Sequence, residues 1–162
     1  MIFEKEIRDF DGNILTKEDM ILKLKDYLLK DYYICVGSDS QMYFENTVMV
    51  TAVVVINRLK GNNCFYVKQE IDNLVYPSLR SRIFDEAFKS IEAAVNIKEY
   101  LDCNIEIHLD IGDNTERNAT ARFVKELTGM VTGQGFSVEI KPRSFASSGF
   151  ADCFTKELLY SD

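Results

Sequence analysis

The segment YYICVGSDSQMYFENTVMVTAVVVINRLKGNNCFYVKQEI (residues 32–71) contains three apolar, strand-like runs in succession. The runs are YYICVG (32–37), VMVTAVVVIN (48–57) and CFYVKQEI (64–71), and β-branched residues dominate the second. The turn signal KGNN (60–63) precedes the third run. Because connections this short join antiparallel neighbours, the sequence predicts a three-stranded meander at the start of an α/β fold.

Helical and strand-like segments lie on either side of this meander. Upstream, TKEDMILKLKDYLLK (16–30) has apolar residues at helical spacing and a threonine suited to cap the helix. Downstream, the pattern predicts a helix from Ser78 to about Leu101, a strand at 105–111, a helix at about 115–129, a strand at 137–142 and a helix from Ser147 or Ser148. With right-handed crossovers, this order gives a mixed sheet with helices on its faces. The predicted fold is a ribonuclease H-like mixed five-stranded sheet flanked by helices, with an extra N-terminal helix, in a single domain over residues 1–162.

The composition is that of an acidic globular protein. Hydrophobic residues make up 46% and charged residues 28%, and the net charge of −7 excludes a protein that coats nucleic acid with a basic surface. No apolar run approaches the roughly 20 residues that span a bilayer, and the charged N-terminus lacks a secretory apolar region. We therefore expect a cytoplasmic protein without membrane association. The 4 cysteines include no CxxC pair, which argues against structural zinc, and Cys35 and Cys64 are expected to be buried thiols.

Acidic residues fall where this topology places one edge of the sheet. Asp39 follows the first predicted strand, Asp110 ends the central parallel strand, and Asp152 lies about one turn into the last helix. Strand ends and helix starts meet at the ligand-binding edge of an open α/β sheet. These three carboxylates are therefore expected to converge, although each aspartate alone is also a typical turn or cap residue.

The long helix supplies a fourth carboxylate. Glu86 lies 8 residues after Ser78, about 12 Å along the helix axis, and it flanks the apolar stripe; Asp85 is the alternative. Mg²⁺ and Mn²⁺ prefer oxygen ligands, and two such ions can bind both the attacking and the leaving oxygen of a phosphodiester displacement. Convergence of four carboxylates therefore favours a metal site.

Basic side chains near the same edge are candidate substrate contacts. Arg82, Lys141 and Arg143 could bind phosphates, or they could form a solvated polar rim. His108 is the only histidine and shares a predicted strand face with Asp110. It is either a metal ligand or proton carrier, or a hydrogen-bonded or partly exposed strand residue.

A series of motifs resembles one protein family. The motifs are GSDSQ (37–41), LRSRIFDEA (79–87), HLDIG (108–112), GMVTGQGF (129–136), IKPRS (140–144) and the pairs Ala146-Ser147 and Ala151-Asp152. In this order, over about residues 14–156, they resemble the YkuK family of ribonuclease H-like nucleases. The resemblance implies a ribonuclease H-like nuclease with Asp39, Glu86, Asp110 and Asp152 as catalytic metal ligands.

The sequence therefore predicts a nuclease that hydrolyses phosphodiester bonds with Mg²⁺ or Mn²⁺ as cofactor. Its expected partner is nucleic acid, whether RNA, an RNA/DNA hybrid or structured DNA. The alternative is a catalytically weak module on the same fold that binds nucleic acid or protein, since a fold does not fix a function. An actin-like or sugar-kinase ATPase is disfavoured because those proteins pair two such domains.

Overall fold

The computed structural model describes residues 1–114, 116 and 119–156. Within these residues the chain forms a mixed sheet of seven strands: β1 (Ile7–Asp9), β2 (Ile14–Leu15), β3 (Tyr33–Met42), β4 (Asn46–Asn57), β5 (Gly61–Asp72), β6 (Ile105–His108) and β7 (Ser137–Glu139). The strand order across the sheet is β2-β1-β5-β4-β3-β6-β7. Neighbours from β2 to β3 are antiparallel, whereas β6 is parallel to β3 and β7 is parallel to β6.

Helices cover both faces of the sheet. The α-helices are α1 (Lys17–Leu29), α2 (Leu79–Lys98), α3 (Val124–Gly133) and α4 (Asp152–Thr155), and short 3₁₀ turns occupy Ile2–Glu4, Asn73–Val75 and Ala121–Phe123. A π-type turn, Ala146–Ala151, runs directly into α4. Hydroxyl groups cap the two longest helices: Thr16 accepts the N–H of Asp19, and Ser78 accepts that of Ser81. No helix in the described part of the chain is both long and apolar enough to span a membrane.

The sheet is larger than the sequence predicted. The meander β3-β4-β5 and the parallel strands β6 and β7 are present, but β1 and β2 add a hairpin that pairs with β5. The predicted count of five strands is therefore wrong. The two extra strands are only 3 and 2 residues long, too short to give an alternating pattern. As a result, α1 follows this hairpin instead of leading the chain.

Three predicted boundaries also differ. Strand β6 ends at His108, so Asp110 lies beyond it, and β7 ends at Glu139 because the chain then turns towards Pro142. Helix α3 begins at Val124, and part of its predicted start lies outside the described residues. It continues through Gly129, which was expected to stop it, because that glycine adopts no positive φ; Gly135, beyond the helix end, has φ +89°.

The sheet separates two apolar cores. Helices α1, α2 and α3 cover one face, where Leu24, Ile97 and Ile107 are buried in the larger core. The smaller core lies under the last helical segment and includes Cys35 and Phe154. Cys35 and Cys64 are both buried free thiols, as predicted. Since side chains alternate along a strand, adjacent residues of β3 project towards opposite cores, which allows β3 to contact helices on both faces.

Candidate active site

A cleft of about 290 Å³ opens at the carboxyl end of β3. The structure brings all four predicted carboxylates into its lining, together with two of the three predicted basic residues: Asp39, Glu86, Asp110, Asp152, Arg82 and Lys141. The carboxylates come from β3, from α2, from the residues after β6, and from the first turn of α4. The cleft therefore collects one acidic side chain from each of four separate segments.

Two of these carboxylates are buried. Asp39 is 6% exposed and Glu86 is 8% exposed. Ser40 Oγ donates a hydrogen bond to Glu86 Oε1 at 2.7 Å. Arg82 donates to the backbone oxygen of Ser40 at 3.1 Å and to its hydroxyl oxygen at 2.8 Å. Ser40 thus links the carboxylate of Glu86 to the guanidinium of Arg82.

Burial and neighbouring negative charge raise the pKa values of both buried carboxylates. Burial, followed by the charges of Glu86 and Asp110 and by hydrogen bonding with Asp110 and Asp152, raises the pKa of Asp39 to about 10. Burial also raises the pKa of Glu86 to about 8, although the hydrogen bond from Ser40 opposes the shift. The raised pKa values favour the protonated forms of both groups in the metal-free protein. A divalent cation would displace those protons, which couples metal binding to pH.

The two more accessible carboxylates each have a lysine partner. Lys141 Nζ lies 3.3 Å from Asp110 Oδ1, and Lys156 Nζ lies 3.0 Å from Asp152 Oδ2. Ser148 Oγ also donates to Asp110 Oδ1 at 2.8 Å. One lysine in the cleft and one beside it therefore partly neutralise Asp110 and Asp152.

The donor set suits a hard divalent cation. Carboxylate oxygens are the ligands that Mg²⁺ and Mn²⁺ prefer, and the crowding of negative charge raises the affinity of a site for a cation. In the described part of the chain, Asp39, Glu86, Asp110 and Asp152 do not place three ligand atoms within 4.8 Å of one another. The residues therefore fit a metal by chemistry and location, and metal binding would draw the carboxylates closer together.

Two other candidates lie outside the cleft lining. The Arg143 side chain is 81% exposed, and its Nε lies 3.6 Å from Glu139 Oε2. Asp85 accepts a hydrogen bond from the Tyr76 hydroxyl and lies 3.9 Å from Lys89 Nζ. Of the two acidic neighbours considered on α2, Glu86 is the one that reaches the cleft.

Sequence reasoning missed the hydroxyl groups that contact the carboxylates. Ser40 binds Glu86, and Ser148 binds Asp110. A signal was available for Ser40, since it is the residue after Asp39 in the motif at the end of β3. No sequence pattern indicated a role for Ser148, because its hydrogen bond to Asp110 depends on how the last helical segment packs against β6.

The last helical segment lies directly on β3 at Gly37. A Cβ atom at this position would lie 2.4 Å from the backbone nitrogen of Ser147 and 2.7 Å from the carbonyl carbon of Ala146. Real Cβ atoms essentially never approach backbone this closely. Glycine is therefore needed here for the close approach that brings the Asp152 segment over β3.

Replacing Gly37 by alanine should lower the free energy of unfolding by about 1–3 kcal/mol, the usual cost of overpacking. The methyl group meets backbone atoms, which cannot move aside as a flexible side chain can. Chemical denaturation measures the effect. The matched control is Gly129→Ala in α3, where nothing lies within 4 Å of the added Cβ and stability should be unchanged or slightly higher. Equal stability of Gly37→Ala and the wild type would contradict this packing.

A second group of possible ligands lies on the same face of the sheet. Cys35, Glu106 and His108 place donor atoms within 4.8 Å of one another. His108 is fully buried, and its Nδ1 accepts the backbone N–H of Ala146 at 3.0 Å. Nε2 therefore carries the ring proton and donates to Glu106 Oε1 at 2.6 Å. A metal-bound imidazole instead coordinates through one nitrogen and donates through the other, so this geometry favours a hydrogen-bonded cluster over a metal site.

Comparison with known proteins agrees with this architecture. Residues 17–156 match the family model described as Ribonuclease H-like. The chain is 30% identical, over 162 residues, to the uncharacterized protein YkuK of Bacillus subtilis (strain 168), with 88% of this chain and 92% of that protein covered. No solved structure gave a significant match. The chain therefore belongs to the ribonuclease H-like family, in the group that includes YkuK.

Proposed function

We propose that this protein is a divalent-metal-dependent nuclease that hydrolyses phosphodiester bonds. The catalytic and metal-binding residues would be Asp39, Glu86, Asp110 and Asp152. The observation that carries the proposal is that four separate segments each contribute a carboxylate to one cleft. Membership of the ribonuclease H-like family supports it. Mg²⁺ or Mn²⁺ is the cofactor that this all-oxygen donor set suits.

The side chains around the cleft have distinct roles in this mechanism. When bound, divalent metal would activate a water and stabilise the charge on the leaving oxygen. Asp39 and Glu86 release their protons as they become ligands. The hydroxyl of Ser40 orients Glu86, and that of Ser148 orients Asp110.

Lys141 is the basic residue best placed to contact substrate. Its ammonium group lies in the cleft, 3.3 Å from Asp110, and the side chain is 40% exposed. A metal-bound Asp110 no longer needs this partner, so the ammonium group can turn to a phosphate oxygen. Arg82 adds positive charge to the cleft, where its guanidinium is held by a hydrogen bond to Ser40. Arg143 lies outside the cleft lining and would contact only substrate that extends beyond the cleft.

Nucleic-acid binding should depend only weakly on salt. The net charge of −7 opposes a polyanion, and few cations line the cleft. We expect the slope of log affinity against log salt to correspond to roughly 2–4 neutralised phosphates. Fluorescence anisotropy of a labelled oligonucleotide in EDTA, from about 50 to 200 mM salt, measures it without cleavage. A slope several times steeper would reveal a large basic surface elsewhere.

A cleavage panel tests the proposed function. Single-stranded RNA, single-stranded DNA, an RNA/DNA hybrid and a four-way DNA junction are incubated with the protein in Mn²⁺, Mg²⁺ or EDTA. We expect cleavage of at least one substrate in Mn²⁺, and none in EDTA or with Asp39→Asn. Binding of a substrate without cleavage under any of these conditions would favour the catalytically weak binding module instead.

A further inference from the structure

His108 connects the strand that leads to Asp110 with the segment that leads to Asp152. Its buried ring accepts the backbone N–H of Ala146 through Nδ1, and Ala146 is the first residue of the π-type turn that runs into α4. Asp110 follows two residues after His108 along the chain. One side-chain hydrogen bond thus joins the supports of two carboxylates in the cleft.

Glu106 fixes the state of the ring that makes this contact. Its Oε1 lies 2.6 Å from His108 Nε2, which places the ring proton on Nε2 and leaves Nδ1 free to accept. The rings of Phe145 and His108 pack in a T-shaped contact, with ring centroids 4.5 Å apart and the ring planes at 87°. On the other side of the contact, Gly37 lets the backbone of Ala146 and Ser147 rest on β3. The ring can therefore hold Ala146 in one position only.

We propose that His108, oriented by Glu106, is a positioning residue that sets the distance between Asp110 and Asp152. The inference rests on the proposed function, because it assumes that these two carboxylates share a metal site. Residues that hydrogen-bond to metal ligands typically change metal affinity by 10–100-fold when they are replaced. His108 acts one contact further out, through the backbone of Ala146, so we expect an effect near the lower end of that range. Burying an imidazole also costs free energy unless both nitrogens are hydrogen-bonded, as they are here.

The shape of the last segment supports this assignment. The π-type turn spans six residues, Ala146–Ala151, and such turns are rare and are frequently found at functional sites. Its far end leads into the turn that holds Asp152, and Ser148 within it donates to Asp110. The hydrogen bond from Ala146 to His108 fixes the near end. A shift at Ala146 would therefore move Ser148 and Asp152 together relative to Asp110.

The test compares Mn²⁺ affinity, measured by isothermal titration calorimetry, in two pairs of variants. His108→Leu fills much of the ring volume but offers no acceptor, whereas the side-chain oxygen of His108→Asn can replace Nδ1. Glu106→Leu removes the acceptor for the ring proton, whereas Glu106→Gln keeps it. We expect each leucine variant to bind Mn²⁺ at least about tenfold more weakly than the wild type. The asparagine and glutamine variants should stay within about threefold, and this rescue distinguishes positioning from simple packing.

Cys64→Ala is the matched control. It removes a buried thiol from the same small core without removing a hydrogen bond to Glu106 or Ala146, so it should lower the melting temperature and leave Mn²⁺ affinity unchanged. Wild-type affinity in His108→Leu would overturn the inference and leave the proposed function intact. No Mn²⁺ binding by the wild type would overturn both. If His108→Leu does not fold, the comparison of Glu106→Leu with Glu106→Gln tests the inference. Wild-type Mn²⁺ affinity in Glu106→Leu would then overturn it.

Discussion

Asp110→Asn should abolish metal-dependent cleavage and the metal-dependent rise in melting temperature. Asparagine keeps the shape of the side chain but removes the negative charge that a divalent cation needs. The loss of several kcal/mol of transition-state stabilisation corresponds to a fall in rate on the order of 10³-fold or more. In the wild type, Mn²⁺ at ten times its dissociation constant should add about 1.4 kcal/mol of stability. The variant should show none of this gain.

The metal-free stability of Asp110→Asn should stay within about 1 kcal/mol of the wild type. The change removes a partly exposed ion pair with Lys141, which contributes little, and it removes a negative charge that raises the pKa values of Asp39 and Glu86. Asp113→Asn is the control, because Asp113 is exposed and lies outside the cleft lining. Full Mn²⁺ stabilisation of Asp110→Asn would remove this residue from the metal site, and a large loss of metal-free stability would mark it as a structural ion-pair partner.

Raising the pH should destabilise the metal-free protein through Asp39 and Glu86. Both have folded-state pKa values above those of the unfolded chain, which lie near 4. The folded protein therefore keeps protons that the unfolded chain releases. The two retained protons contribute fully to the free energy of unfolding below about pH 4. This contribution is lost as the pH rises to the pKa of Glu86, about 8, and then to that of Asp39, about 10. The free energy of unfolding should fall with pH at a slope on the order of −1 kcal/mol per pH unit for each retained proton.

Melting temperatures from pH 5 to 8 measure this effect. Asp39→Asn should flatten the slope of stability against pH, since it removes one group that keeps its proton in the folded protein. Saturating Mn²⁺ should also reduce the fall in melting temperature with rising pH, because metal affinity increases as the ligands lose their protons. If the wild type and Asp39→Asn have the same slope, the pKa of Asp39 is not raised in the folded protein.

The central part of the fold could be predicted because its signals are local and long. The β-branched run that became β4 and the apolar stripe of α2 each extend over ten or more residues. Short connections join antiparallel strands and helical crossovers join parallel strands, so the length of each connection predicts the direction of the next strand. These directions place Asp39 and Asp110 at the same edge of the sheet. Glu86 followed from the spacing of residues along one helix. The expected convergence of carboxylates therefore required topology and helix geometry only.

Other features could not be predicted because they depend on contacts between distant segments. The hairpin of β1 and β2 is stabilised by pairing with β5, not by a pattern of its own. The hydrogen bond from Ala146 to His108 joins residues 38 positions apart. The close packing at Gly37 also joins distant segments, because it brings β3 against Ala146 and Ser147. From the sequence alone, a glycine within a strand suggests a bulge instead. These contacts position the last segment, and through it Asp152.

A crystal soaked in Mn²⁺ and measured at a wavelength with strong manganese anomalous scattering tests the metal site most directly. We expect one or two anomalous peaks in the cleft, bound by carboxylate oxygens of Asp39, Glu86, Asp110 and Asp152; two ions should lie about 3.5–4 Å apart. Lys141 and Lys156 should have moved away from their aspartates. An empty cleft at a Mn²⁺ concentration that raises the melting temperature, with manganese bound elsewhere, would contradict the proposed site.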